Sequence, residues 1–138
     1  MSKMSEFNEK VIQEFRANGG KVGGQFENMQ VLLLTATGAK TGRRLTRPLV
    51  YTEDGDRIVI IASYAGSPTS PPWYFNLLAN PEATVEVGEE TFQVRAAATA
   101  GEERQRLYDQ QAAQMPVFAD YQKKTTRQIP VLVLKRVG

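Results

Sequence analysis

The apolar positions follow two periods along the chain, and the switches between them mark its elements. Over Ser5 to Asn18 they recur at Phe7, Val11, Ile12 and Phe15. That spacing predicts an amphipathic helix with one narrow apolar stripe. Ser5 is placed to cap it and Gly19-Gly20 to stop it. The stripe suits packing on a domain. It also suits peripheral contact with a membrane, although the polar face mixes acids with bases. Beyond a glycine-rich stretch, Gly19 to Gln25, the period changes. Val31 to Thr35 opens on four apolar residues, Arg47 to Thr52 and Arg57 to Ser63 carry short apolar runs, and Ala83 to Val87 and Thr91 to Thr99 alternate. With Val131 to Val137, these make about six strands. Asp54-Gly55 and Gly88-Glu89-Glu90 read as hairpin turns.

Two helical patterns interrupt the strands. Pro72 to Ala79 opens on a proline suited to a first helical turn and stops at Asn80-Pro81. Glu102 to Gln114 starts with acids that complement the helix dipole. The pattern predicts a mainly β (α+β) fold, a small antiparallel barrel with peripheral helices. The chain divides into an N-terminal helix and connector, residues 1–22, and a barrel domain, residues 23–138. Side chains fill a barrel of this size, so a ligand is expected at a rim or groove.

Composition narrows the chemistry more than the fold. The 138 residues include no cysteine and no histidine. A disulfide framework, a thiolate metal site and a thiol nucleophile are thereby excluded, and the commonest general base and zinc ligand are missing. No metal site is expected, and a borrowed cofactor becomes the natural carrier of chemistry. The net charge of +2 is too weak to argue for nucleic acid on the scale of the whole molecule. The first residues lack the apolar core of a secretion signal, which makes the cytoplasm the expected location.

Three segments have the composition of a site. In Thr35 to Pro48, the cations Lys40, Arg43, Arg44 and Arg47 have no acid among them, and Gly38 and Gly42 free the backbone for close approach. Point charges, guanidinium forks and exposed N–H groups suit a phosphate or carboxylate, although a solvated basic hairpin would look the same. The spacing is not that of a P-loop. In Ser63 to Pro81, Ser63, Tyr64, Ala65 and Gly66 lead into a proline-stiffened loop ending at Pro72 and Trp73. A stiff polar loop beside aromatics suits a flat heterocycle, while Trp73 itself reads first as a core anchor under the loop. In Met115 to Pro130, Phe118 and Tyr121 can share a helical face. With no histidine present, the Tyr121 hydroxyl is one of few available proton donors.

Three runs, VLLLTATGAKTGRRLTRPLVYTEDGDRIVIIAS, GSPTSPPWYFNLLANPEATVEVG and DYQKKTTRQIPVLVL, resemble the deazaflavin-dependent nitroreductase family in content, order and gaps. The resemblance covers most of the chain from Gly23 onward. It implies a split β-barrel like that of flavin-binding reductases. It also implies coenzyme F420, a deazaflavin with a phosphodiester and an oligoglutamate tail. Lys40 stands where the family places a phosphate-binding lysine, and Thr41, Gly42 and Pro48 match the same turn. Arg43, Arg44 and Arg47 are candidates for the tail by charge and proximity. Ser63 matches a residue near the deazaflavin ring, with Tyr64, Ala65, Gly66, Pro72 and Trp73 as its neighbours in coenzyme binding. Tyr121 matches an active-site tyrosine. Met115 and Phe118 replace tyrosines of the nitroimidazole-activating member, which implies a more apolar substrate pocket. The expected activity is hydride transfer from the reduced coenzyme to a flat conjugated acceptor: a quinone, an enone or unsaturated lactone, or a nitroaromatic. Ser63 and Tyr121 are the candidate catalytic residues. The alternatives are an FMN-dependent reductase on the same barrel and an F420 carrier without turnover. Monomer and homodimer both fit the family.

Overall fold

A computed structural model describes residues 3–24 and 29–137; Gln25, the last residue of the glycine-rich stretch, lies outside them. The elements run α1 (Lys3–Ala17), β1 (Val31–Thr37), β2 (Arg44–Val50), β3 (Thr52–Asp54), β4 (Arg57–Ile61), a 3-10 turn (Tyr64–Gly66), α2 (Pro72–Ala79), β5 (Glu82–Val87), β6 (Glu90–Ala98), α3 (Gly101–Gln114), α4 (Val117–Lys123) and β7 (Val131–Arg136). All strands belong to one antiparallel sheet in the order β2-β1-β5-β6-β7-β4-β3. The two outermost strands of that order, β2 and β3, are consecutive in the chain and joined only by Tyr51. The sheet must therefore curl round on itself, and it does so as a barrel with a split.

Two-sided burial explains the apolar runs. The barrel interior holds Leu32, Leu34, Ile60, Val85, Val94, Leu132 and Leu134. The intervening residues of the same strands are covered from outside. Val59, Ile61, Val131 and Val133 lie under α3 and α4 with Leu107, Tyr108 and Phe118. Val31 and Leu33 lie under α1 with Phe15. A strand covered on both faces reads as a continuous apolar run. β6 is covered on one face only and reads as alternation, Val94 and Ala96 buried between exposed Gln93, Arg95 and Ala97.

Several expectations need adjusting. The second expected strand is two, because the chain leaves β1 at Tyr51, whose N–H makes the last bond of the β1–β2 register, to Gln30 O, before β3 pairs with β4. Helix α1 begins at Lys3, so Ser5 sits inside it and does not cap it. The C-terminal part of its apolar stripe faces the sheet, with Phe15 1% exposed and Val11 6%, while Phe7 near its start is 39% exposed. Arg16 pairs with Glu86 at 2.8 Å from the same helix. The glycines after α1 serve a backbone contact. A Cβ on Gly20 would stand 2.5 Å from Gly88 Cα, in the β5–β6 turn. Among the described residues, no helix is long and apolar enough to cross a membrane.

Tyr108 ties α3 to α4. It is buried, and its hydroxyl donates to Phe118 O. Burial pushes its pKa above the usual 10.0. A group whose folded pKa is raised contributes stability that is full below the unfolded pKa and lost as pH rises through the folded value. We expect urea midpoints to fall above about pH 10. Tyr108→Phe should flatten that fall while lowering stability at neutral pH through loss of the hydrogen bond. An alkaline profile identical in the two proteins would contradict the assignment.

Candidate active site

The site opens where the barrel fails to close. In the β3–β4 register, Thr52 faces Val59 and Asp54 faces Arg57. Carried back past Tyr51, that register would set Val50 against Ile61 and Pro48 against Ser63. The strands diverge instead. A cleft of about 450 Å³ opens between them, lined by Pro48, Leu49, Val50, Ile61 and Ser63 from the two sides. Pro48 lacks the N–H that a ladder would need, which suits it to an unpaired edge. Tyr64, Ala65, Pro71 and Trp73 form one further wall, and Val117, Phe118 and Tyr121 of α4 another, with Met29 beside them. The volume lies in the ~300–1,000 Å³ range of small-molecule sites.

Three residues lining the cleft, Ser63, Tyr121 and the exposed Tyr64, carry hydroxyls with no hydrogen bond among the described residues. Ser63 is 8% exposed, and its Oγ has no hydrogen bond among the described residues. That oxygen is not sealed from the surface either. The Tyr121 hydroxyl likewise has no partner among the described residues, while its ring meets Phe118 edge-on at 5.3 Å. The wall beyond Ser63 is a strained turn. Tyr64 and Ala65 take φ of +47° and +54° and are followed by Gly66 at +79°. A left-handed non-glycine residue costs about 1–2 kcal/mol, and such strain collects at ligand sites. Only glycine fits the third position: a Cβ on Gly66 would stand 2.9 Å from Tyr121 O.

Helix α2 joins the cleft to the basic turn. Trp73 is packed with the barrel interior, as a core anchor, and also lines the cleft. Three residues on, about 4.5 Å along the helix axis, Asn76 Oδ1 accepts the Ala39 N–H at 2.9 Å. Asn80 Nδ2 reaches Thr37 O at 3.5 Å. These two asparagines brace the turn, which gives the NLLAN stretch a structural reason. The turn proper is Gly38 to Arg43, closed by Gly38 N–H to Arg43 O at 2.7 Å and Gly42 N–H to Gly38 O at 3.0 Å. Gly42 lies at φ +71°. Thr41 Oγ1 accepts the Arg43 N–H.

The four cations of this segment differ. Lys40 and Arg43 are exposed, and their side chains have no partner among the described residues. Arg44 donates to Thr84 Oγ1 at 2.9 Å. Arg47 is half-buried and donates to the neighbouring Thr46 O. An anion on this turn therefore meets Lys40 and Arg43 first.

Other candidate residues sit off the cleft. Met115 is buried among Val59, Leu107 and Ile129 behind α4, so it supports the wall and does not line it. Pro72 is exposed at the start of α2, and its neighbour Pro71 is the buried proline on the cleft. Gly66 packs behind the turn, against α4. Sequence reasoning passed over Met29, Leu49, Val50, Ile61 and Val117, which read as core. It also passed over Arg127, whose guanidinium donates to Ala62 O, Ser63 O, Ser67 O and Ser70 Oγ.

Comparisons with known proteins identify the family and the fold. The family model described as F420H(2)-dependent quinone reductase matches residues 8–136. An F420H(2)-dependent quinone reductase of Mycobacterium tuberculosis is 37% identical over 128 residues, 88% of this chain and 85% of the relative. Among solved structures, an F420-H2 dependent reductase (FDR-A) superposes with a TM-score of 0.70 at 37% identity, over 76% of this chain and 93% of that one. A protein solved as a domain-swapped dimer reaches 0.73 at 32% identity, over 95% and 96%. The barrel is thus the split barrel that the resemblance implied. By its family model and by a relative this similar over most of both lengths, the chain belongs to the F420H(2)-dependent quinone reductase family.

Proposed function

We propose that this protein passes two electrons from reduced coenzyme F420 to a quinone-like acceptor in the cleft beside Trp73. One observation carries the reading. An apolar cleft that carries uncommitted hydroxyls lies a single helical turn from a braced turn whose Lys40 and Arg43 have no side-chain partner among the described residues. The residues present fit the coenzyme. Lys40, Arg43 and the N–H groups of the Gly38–Arg43 turn would hold its phosphate and acidic tail. Pro48, the Ser63–Ala65 wall and Trp73 would hold its ring. When bound, the reduced deazaflavin supplies a hydride and favours two-electron over one-electron chemistry.

The chain supplies the rest. Phe118, Val117 and Val50 give the cleft apolar walls, against which a bound ring and acceptor would exclude water and strengthen each remaining polar contact. Ser63 Oγ and Tyr121 Oη would donate to an acceptor oxygen as negative charge develops on it. Tyr121 would then deliver the proton. On this reading Tyr121→Phe lowers kcat by about a hundredfold and changes coenzyme affinity little. Single-turnover reduction of menadione checks it. If kcat is unaltered, Ser63 or water takes the role instead.

Fluorescence titration with oxidised F420 and with FMN tests the proposal as a whole. We expect saturable F420 binding and at least tenfold weaker FMN binding. Equal affinities would favour a flavin reductase, and binding without menadione turnover would favour a carrier. A panel of quinones, enones and nitroaromatics ranks the acceptors. Sedimentation of the full chain decides between monomer and homodimer, and cell fractionation checks a cytoplasmic location.

A further inference from the structure

We propose that Arg127 is the positioning residue of this site, a staple that sets the strained Ser63–Gly66 wall against the hydroxyl-bearing helix α4. Its bearing on turnover rests on the reductase reading above; the staple itself does not.

Arg127 does not line the cleft. Its guanidinium holds the turn from behind and spans both of its ends. Nη2 donates to Ser63 O at 2.8 Å and Ala62 O at 3.3 Å, just before the left-handed residues. Nε donates to Ser67 O at 2.9 Å and Nη1 to Ser70 Oγ at 3.2 Å, just after them. The turn's own closure is slight: Gly66 N–H to Ser63 O at 2.9 Å and Ser67 N–H to Tyr64 O at 3.0 Å. Two non-glycine residues at positive φ need more than that to persist, and an over-determining neighbour is what such strain requires.

The other half of the staple is the backbone that carries Arg127. Gln122 of α4 donates through Nε2 to Arg127 O at 2.8 Å, and its Oε1 accepts the Ile129 N–H at 3.2 Å. Buried Arg104 of α3 fastens the same segment from below, donating to Ile129 O and Gln122 Oε1. A continuous hydrogen-bonded path thus runs from α3 through Gln122 and Arg127 to the carbonyl of Ser63. Gly66, packed on Tyr121 O, closes the loop from the other side. The positions of Ser63 and Tyr121 relative to one another depend on this path. Arg127 forms no ion pair among the described residues. The planar fork, with donors on three nitrogens, is the property used, and a lysine ammonium cannot reproduce it.

The test uses the full chain. In Arg127→Ala, amide exchange at Gly66 and Ser67 should quicken about tenfold or more, with and without coenzyme. kcat for menadione should fall about tenfold to a hundredfold, by a clearly larger factor than F420 affinity falls, since the loosened wall holds only the ring and the basic turn keeps the acidic tail. Arg127 also borders a second, outward-facing cavity beside Arg104 and Gln122. Millimolar guanidinium should therefore reach the truncated site and restore part of both readouts, and methylammonium should not. Arg127→Lys should fall between the two proteins and serves if the alanine variant does not fold. Unchanged exchange at Gly66 and Ser67 would overturn the staple. Faster exchange with unchanged kcat, or a coenzyme affinity that falls as far as kcat, would overturn the positioning role. A wild-type protein that fails to reduce menadione would defeat the reductase reading, and the exchange result would still decide the staple.

Discussion

Lys40→Ala is expected to weaken F420 binding about tenfold to a hundredfold, the loss of one charge-assisted hydrogen bond at ~1.5–3 kcal/mol. The thermal midpoint should stay within a degree or two. Both halves follow from one observation, that Lys40 is exposed and its side chain has no partner among the described residues. Its removal leaves no buried group unpaired. Arg44→Ala provides the contrast. Arg44 already donates to Thr84 Oγ1, which holds it against the sheet. We expect a smaller loss of affinity from it than from Lys40 or Arg43. The salt dependence of F420 binding should weaken in Lys40→Ala, since exposed charges are screened. An unchanged dissociation constant would move the coenzyme's anionic end away from this turn.

Phe15→Ala should cost the fold about 3–5 kcal/mol, the range for a fully buried aromatic truncated to alanine. Phe15 is 1% exposed and meets Val31 and Leu33 on the outer face of β1. The cavity cannot collapse easily, because α1 is held at its end by the Arg16–Glu86 pair and by the contact of Gly20 with Gly88. The same variant separates two uses of the helix. If the apolar stripe served a membrane, Phe15→Ala would lower vesicle flotation and leave the urea midpoint alone. We expect the reverse, with the whole transition shifted and flotation unchanged.

The parts of this structure that were legible in the sequence are those fixed by neighbours in the chain. Helix α2 was readable at both ends, because a proline at its first turn and Asn80-Pro81 at its stop act locally. The strands were readable because both sides of β1, β4 and β7 are buried and leave no polar residue to interrupt the run. The basic turn announced itself by charge. What stayed hidden was set by distant partners. Nothing local marks Tyr51 as a bend; the bend exists because β2 and β3 pair with opposite ends of the sheet. Met115 and Phe118 are three residues apart, yet only Phe118 reaches the cleft, because the chain turns from α3 into α4 between them. Arg127 looked like one more cation in a polar loop. Its acceptors lie about sixty residues upstream, at Ala62 to Ser70, and no spacing rule connects the two.

The position of β7 has a consequence for how the chain is made. It follows every other strand in sequence, yet it sits inside the sheet, between β6 and β4. Until residues 131–136 have left the ribosome, β4 and β6 each present an open edge, and Ile60 and Val94 lack the strand that buries them. Synthesis at about 5–20 residues per second leaves those edges exposed for seconds. The barrel therefore closes only after translation has passed its last strand. Nascent chains stalled before residue 131 should engage holdase chaperones, since unpaired edges are templates for association. The same reasoning ranks damage: loss of a few residues ahead of α1 should be tolerated far better than loss of β7.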